Sequence, residues 1–269
     1  TGSGLGCPDW PTCYGSWIPP FERAALIEYT HRSIAAVVGV LVVWLVVRAW
    51  RGRSASPAGF RLSLGALGLL FIQAWLGRAV VLAELEPLMV TVHLATAMLF
   101  IAVLLVIACL PQEEGRRWDR SNRLLAGAPL GVLVVILGGA WVRGLGAGLA
   151  FRDWPLMGGT IFPDLGGSTA LLATFLHRLS VAALGVYLIY VVVALRGGRG
   201  SRMANILLGA YLVQVLAGAL TVLTALGPVP RVGHVALGAL VWAVAVVAPF
   251  RVAPSDSEAP AGAVSRQPG

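Results

Sequence analysis

Glu28-Tyr29-Thr30-His31-Arg32 opens the first long apolar run of the chain and brings a carboxylate, an imidazole and a guanidinium together at its start. Glu28 and His31 are three residues apart, so on a helix they share one face. A related stretch, TFLHR, occupies residues 174–178, with threonine in place of the glutamate. The two stretches predict a protein of two related halves, in which one half performs chemistry and the other is its modified copy.

The composition is typical of a membrane protein. Of the 269 residues, 58% are hydrophobic and only 12% are charged, about half the charged fraction of an average soluble domain. A helix needs roughly 20 apolar residues to cross a bilayer. The sequence therefore predicts an all-α polytopic membrane helix bundle, with seven helices in the apolar runs at residues 26–49, 62–82, 89–110, 124–143, 169–195, 205–226 and 231–250.

Arginine clusters between the apolar runs predict the orientation. Cytoplasmic connections carry an excess of basic residues, and the first, third and fifth connections of this chain are rich in arginine. Residues 1–25 are then predicted to lie outside a bacterial cell membrane, and the polar tail, residues 254–269, to be disordered in the cytoplasm. Because the net charge of +8 has this origin, we expect membrane lipid and no nucleic acid as a partner.

The chain contains an internal repeat. Matching residues recur at offsets of 141 to 146, namely Trp10 with Trp154, His31 with His177, Gln73 with Gln214, and His93 with His234. We therefore predict two four-helix repeats in parallel, residues 1–123 and 124–253. The second repeat opens with a helix at 124–143 that has no counterpart in the first, so we expect one further helix before Thr1 in an eight-helix protein.

Four histidines are the main candidates for a functional site. An ionisable side chain inside a membrane is costly and marks a candidate site, and all four lie near the predicted outer ends of helices: His31, His93, His177 and His234. In each half, two imidazoles from two helices would form a bis-histidine haem site with iron as the metal. Zinc is a second interpretation, although it usually takes three or four protein ligands. Hydrogen-bonded packing histidines are a third.

Two arginines and one glutamate accompany these histidines. Arg32 and Arg178 each follow a histidine directly, where a guanidinium can bind a haem propionate or simply extend to the membrane surface. Glu28 could transfer protons or stabilise positive charge beside His31, or it could form only a surface ion pair with Arg32 or Arg23. The threonine at the matching position of the second half favours the catalytic role.

Cys7 and Cys13 lie six residues apart in the segment predicted to be outside, where thiols are oxidised. They could form a disulfide. Such a bond could be a structural staple or a redox-active pair that handles the haem.

At this point the residues resemble those of a known family. The stretch TGSGLGCPDWPTC at residues 1–13 resembles the first outer loop of the haem A synthases, and EYTHR at residues 28–32 resembles their glutamate-and-histidine motif. The stretch GLAFRDWPLM at residues 148–157 is similar to the second-half loop of the proteobacterial and mitochondrial branch. The resemblance covers essentially the whole chain from residue 1 to about residue 250.

This resemblance implies an oxidoreductase that converts haem O to haem A by oxidising the C8 methyl group to formyl, for cytochrome oxidase biogenesis. His177 and His234 would hold a permanent haem b, while His31 and His93 would flank the substrate haem beside Glu28 as a catalytic residue. Cys7 and Cys13 would be the outer-loop pair, and they would form the only disulfide because the second loop has no cysteines. Expected partners are haem O, the haem O synthase that delivers it, cytochrome oxidase assembly factors and an unidentified electron acceptor; a homo-oligomer is also considered.

Two other functions would use the same histidines. A dihaem cytochrome would only transfer electrons, and a haem transporter or chaperone would only move the cofactor. An electron carrier gains nothing obvious from a carboxylate beside one haem alone, so Glu28 favours the enzyme.

Overall fold

The computed structural model describes residues 4–110 and 118–252, and these residues form a bundle of α-helices. The tail predicted at 254–269 lies outside the described residues, as does most of the third connection. The helices are α1 (Arg23–Arg51), α2 (Pro57–Leu82), α3 (Pro87–Cys109), α4 (Arg120–Ala126), α5 (Ala128–Gly144), α6 (Thr169–Ala194), α7 (Ser201–Leu223) and α8 (Pro228–Val247). Short 3₁₀ helices follow α5 at Ala147–Leu149 and α8 at Ala248–Arg251.

Seven of the described helical segments are long and apolar enough to cross a membrane, which confirms the predicted all-α fold. The short helix α4 and α5 together make one of these segments, Arg120–Gly144. Pro129, in the first turn of α5, has no N–H to continue the helical ladder, so the segment breaks at Gly127. The Tyr187 hydroxyl donates to the Leu124 carbonyl at 2.5 Å and satisfies an acceptor beside the break.

Polar caps and prolines place the helix starts. Pro57, Pro87 and Pro228 each occupy a first turn, where the missing N–H costs no helical bond. Asp119 and Asn122 form a capping box at α4, and Asn122 also donates to the Pro249 carbonyl at 2.7 Å. That bond joins the start of the fourth membrane-length segment to the end of the seventh.

The two halves meet through α3, α5 and α8, which pack against one another. The largest buried cluster lies on the second-half side of this contact and is built around Leu184, Leu188, Leu207 and Trp242. The Trp242 indole donates to the Met98 carbonyl on α3 at 3.0 Å, a buried polar bond across the two halves. In a bilayer such packing and interhelical hydrogen bonds hold helices together, because lipid is as apolar as the side chains.

The repeat is visible in the backbone. Residues 13 and 16 form an isolated antiparallel bridge, and so do residues 157 and 160, at the same offset of 144. Between α2 and α3, Glu84 and Leu85 have φ values of 51° and 66°. Between α7 and α8, Ala225 and Leu226 have values of 48° and 63°. Left-handed pairs of non-glycine residues are uncommon, so their recurrence marks two copies of one turn.

Candidate functional site

The loop before α1 is closed by a disulfide between Cys7 and Cys13, and both residues are fully buried. Within the loop, the Asp9 carboxylate accepts from the Thr12 hydroxyl at 2.5 Å, from Gly15 N–H at 2.9 Å and from Tyr14 N–H at 2.6 Å. These donors stabilise the ionised form and hold the pKa of Asp9 below its ordinary value, the Thr12 bond having the largest effect. The aspartate therefore organises the loop around its charge.

The loop before α6 repeats this arrangement without cysteine. Asp153 accepts from Gly158 N–H at 2.9 Å and from Gly159 N–H at 2.8 Å, and these bonds lower its pKa. Phe151 and Met157 take the places of the two cysteines and are both buried. Apolar packing thus replaces the covalent bond as the means of closing the loop.

Each loop is fastened to its helix by an arginine. The Arg32 guanidinium donates to the carbonyls of Asp9 at 2.9 Å, Thr12 at 2.8 Å and Cys7 at 3.4 Å. At the matching positions, Arg178 donates to the carbonyls of residues 153, 156 and 151 at 3.0, 2.7 and 3.1 Å. The structure therefore gives both arginines a loop-holding role, which sequence reasoning missed, and their binding of a haem propionate stays a prediction.

Glu28 is buried against the disulfide loop, with 8% of its surface exposed. One carboxylate oxygen accepts from Cys7 N–H at 2.9 Å, and the other accepts from the Arg32 guanidinium at 2.6 Å. The matching residue, Thr174, instead donates to the carbonyls of Ala147 and Ala170 at 3.1 and 3.0 Å. Only the first half therefore has a fixed negative charge at this position, and the ion pair with Arg32 considered from the sequence is present.

Three of the four histidine rings pack against glycines on a neighbouring helix. A Cβ atom at Gly218 would lie 3.0 Å from Cε1 of His234, and one at Gly77 would lie 3.3 Å from Cε1 of His93. A Cβ atom at Gly139 would lie 3.1 Å from Cε1 of His177. Contacts this short leave no room for a side chain. The glycines are thus seats, positions without a side chain against which the rings lie and are oriented. In the sequence, the only sign of this role is the equal spacing of Gln73 to Gly77 and of Gln214 to Gly218.

The structure brings the histidines together as two pairs. His31 interacts electrostatically with His93 in the first half, and His177 with His234 in the second. The Nδ1 atoms of His93, His177 and His234 are buried without a hydrogen-bond partner, whereas His31 is exposed. A buried histidine kept only for packing normally has its ring nitrogens satisfied. The unpartnered Nδ1 atoms of His177 and His234 are therefore unusual for packing histidines, and in His93 the other ring nitrogen, Nε2, lies 3.2 Å from the Gln73 amide.

The donor set is limited to these pairs within residues 4–110 and 118–252. No three histidine, cysteine, aspartate or glutamate side chains gather there in a group that could hold a metal ion. A structural zinc site would need such a group.

Beside His177, a pocket of about 370 Å³ opens between α5, α6 and Thr91 of α3.

Residues 1–246 match the family model described as cytochrome oxidase assembly protein. The chain belongs to this family. Within the cytochrome oxidase assembly protein family, it is 34% identical over 200 residues to the protein named Heme A synthase of Symbiobacterium thermophilum. It is 29% identical over 202 residues to the Heme A synthase of Alkalihalophilus pseudofirmus, and 28% identical over 241 residues to that of Shouchella clausii.

These matches cover most of this chain but only part of the length of each relative. The aligned residues are 70%, 72% and 83% of this chain for the three proteins in turn, and 64%, 67% and 79% of the relatives. The chain thus spans less than two thirds of the Symbiobacterium protein. Membership of the cytochrome oxidase assembly protein family confirms the resemblance found in the sequence.

Proposed function

We propose that this protein is a membrane oxidoreductase that converts haem O to haem A by oxidising the C8 methyl group to formyl, in the service of cytochrome oxidase assembly. The observation that carries the proposal is the arrangement of the four histidines in two repeat-matched pairs, with a carboxylate in one half only. Relatives named Heme A synthase over most of the chain supply independent support.

The second half is suited to a resident cofactor. His177 from α6 and His234 from α8 would hold haem b, because each ring is seated on a glycine of the neighbouring helix and has a buried Nδ1 atom. A haem b there would supply one-electron transfer. The protein contributes two oriented imidazoles, and Arg178 keeps the outer loop closed above them.

The first half is suited to the substrate. His31 and His93 would flank haem O, with Glu28 at the outer edge of the same helix as His31. Converting a methyl to a formyl group with oxygen from water removes four electrons and four protons, so a base and an electron acceptor are both required. Because the methyl carbon has no acidic proton, positive charge develops there, and a fixed carboxylate in a low-dielectric site stabilises it.

Glu28 is held for this role by the loop. Its charge is paired with Arg32 and its position is set by the backbone N–H of Cys7, so the carboxylate is held in place. Thr174 at the matching position has no charge to offer. We therefore assign turnover to the first half and a redox role to the second.

We place residues 1–25 outside the cell membrane and the end of the chain in the cytoplasm. Both aspartate-organised loops lie at one end of the bundle, and the arginine-rich connections after α1 and α6 lie at the other. Haem O, the synthase that delivers it, assembly factors of cytochrome oxidase and a membrane electron acceptor are the partners we assign to the protein.

Complementation tests the proposal. Bacteria that make haem O but lack their own haem A synthase are given the full-length gene, and their membranes are assayed for a haem A-containing oxidase. Restored oxidase with the wild-type gene, and none with His93→Ala at equal membrane insertion, is the expected result. A dihaem electron carrier or a haem transporter would restore nothing, and equal failure of a correctly inserted wild-type protein would overturn the proposal.

A further inference from the structure

Two glutamines at matching positions of the repeat make different hydrogen bonds to their histidines. In the first half, the Gln73 side-chain amide lies 3.2 Å from Nε2 of His93. In the second half, the Gln214 amide donates instead to the backbone carbonyl of His234 at 3.0 Å. The two glutamines occupy the same place on α2 and α7, twenty residues before their histidines. The contrast therefore lies in the contact and not in the position.

The Gln73 amide contacts Nε2 of His93, the ring nitrogen through which this histidine would bind iron. If Nδ1 of His93 carries the proton, the Nε2 lone pair accepts from the Gln73 amide N–H. If Nε2 carries the proton, it donates to the amide oxygen and has no lone pair at all. In both tautomers Nε2 is unavailable for metal ligation until the amide moves away. The Gln214 side chain makes no such contact with the His234 ring, which interacts with Gln214 only through the Gln214 backbone.

The surroundings make this hydrogen bond significant. The remaining amide atom, Oε1 of Gln73, is buried and has no partner, and so is the Nδ1 atom of His93. The contact to His93 is thus the hydrogen bond through which this buried amide is satisfied. Leaving a buried polar group unpaired is unfavourable, so the amide returns to His93 whenever the iron leaves.

We propose that Gln73 competes with the haem iron for Nε2 of His93, and that this competition makes haem binding in the first half exchangeable. The amide caps His93 while the site is empty, gives way when the substrate haem arrives, and takes the place of the iron when product departs. Gln214 does not compete, which suits a haem that remains bound. This inference rests on the proposed function, since only a substrate site needs to release its haem after each turnover.

Haem affinity measured on the purified full-length protein tests the role of Gln73. Apoprotein in detergent is titrated with haem b as the probe, and the dissociation constants of a tighter and a weaker site are obtained from the Soret band. Gln73→Leu should lower the dissociation constant of the weaker site by about 2- to 10-fold, the effect of losing one competing hydrogen bond. Gln73→Asn, too short to reach His93 but still polar, should act in the same direction.

Gln214→Leu is the matched control and should leave the weaker site unchanged. The competing role would be overturned if both Gln73 variants left the affinity of the weaker site unchanged or reduced it. Unchanged affinity would mean that the amide is irrelevant to haem binding, and reduced affinity would mean that it contacts the bound haem. His93→Ala separates this failure from that of the proposed function. If the weaker site survives His93→Ala intact, the assignment of the substrate to the first half is wrong.

Discussion

The Glu28 carboxylate accepts a hydrogen bond from the backbone N–H of Cys7 at 2.9 Å, across 21 residues of sequence. This bond connects the disulfide loop to the turn of α1 that also contains His31. The second half has no equivalent, because Thr174 donates to the Ala147 carbonyl instead. The conformation of the disulfide loop and the position of the Glu28 charge are therefore linked in the first half only.

Changing Glu28 to Gln separates its charge from its hydrogen bonding. The amide oxygen can still accept from Cys7 N–H, but the ion pair with Arg32 is lost. We expect product formation to fall by roughly 10²-fold or more, the usual effect of losing a positioned acid–base or electrostatic group. Haem O or a partly oxidised product should accumulate, while the haem b that we propose at His177 and His234 should be retained.

Thr174→Val is the matched change for Glu28→Gln. It removes a buried hydroxyl from the copy of the site and should affect retention of haem b more than turnover. Near wild-type product from Glu28→Gln, normalised to inserted protein, would mean that the glutamate is only a partner of Arg32 and of the loop.

Replacing both Cys7 and Cys13 with serine should reduce turnover while leaving the second-half haem in place. The closed loop is short, so the loss of chain entropy accounts for only about 2 kcal/mol of stability. Its larger consequence is that Cys7 N–H no longer holds Glu28 in one position. Pigment composition and the haem b spectrum of the same membranes measure the two effects. Loss of the spectrum in step with turnover would show that the disulfide stabilises the whole bundle instead.

Gly218→Val should displace the His234 ring and strip haem from the second half. A Cβ atom at this position meets Cε1 of His234 at 3.0 Å, and overpacking of this kind costs about 1–3 kcal/mol. Gly209→Val on the same helix is the control, because a Cβ atom there meets nothing within 4 Å. Equal haem content in the two variants, measured by absorbance per inserted protein, would contradict the role of Gly218 as a seat.

The loops before α1 and α6 should loosen in acid. The pKa values of Asp9 and Asp153 are lowered in the folded protein by their hydrogen-bond donors, so their stabilising effect is complete above the ordinary value of 3.8. It is lost as the pH falls through the lower folded value. Amide exchange of Gly15, Gly158 and Gly159, corrected for the intrinsic rate, should show this loss below pH 3.8. Asp153→Asn should abolish the pH dependence in the second loop only; an unchanged pH profile there would contradict the assignment.

Much of the fold follows from sequence patterns. The seven spans are predictable because apolar runs of bilayer length have few competing structures. The ends are less predictable: the run predicted at 62–82 is a helix from Pro57, and the run at 205–226 ends at Leu223. Caps and first-turn prolines are polar or turn-forming, so hydropathy excludes residues that belong to the start of a helix. Ala225 and Leu226 are apolar and so fall within the predicted run, but their positive φ values place them in the turn after α7.

The site is only partly predictable. The histidines are found from their type and spacing, because an imidazole in a membrane helix is rare. The glycine seats depend on which helices pack together, and one sequence does not give that packing. The roles of Arg32 and Arg178 depend on the path of the loops before α1 and α6, whose carbonyls accept hydrogen bonds from them. A guanidinium beside a histidine has the same sequence signature whether it binds a propionate or a loop.

Pigment chromatography of membranes tests the central claim most directly. The full-length protein is expressed with a source of haem O, and non-covalent haems are extracted and separated from wild type, His93→Ala and His234→Ala. We expect haem A from wild type, and haem O without haem A from His93→Ala. The low-spin haem b spectrum should be preserved in His93→Ala and lost in His234→Ala. Haem A at wild-type levels from His93→Ala, or no haem A from inserted and haem-loaded wild type, would contradict it.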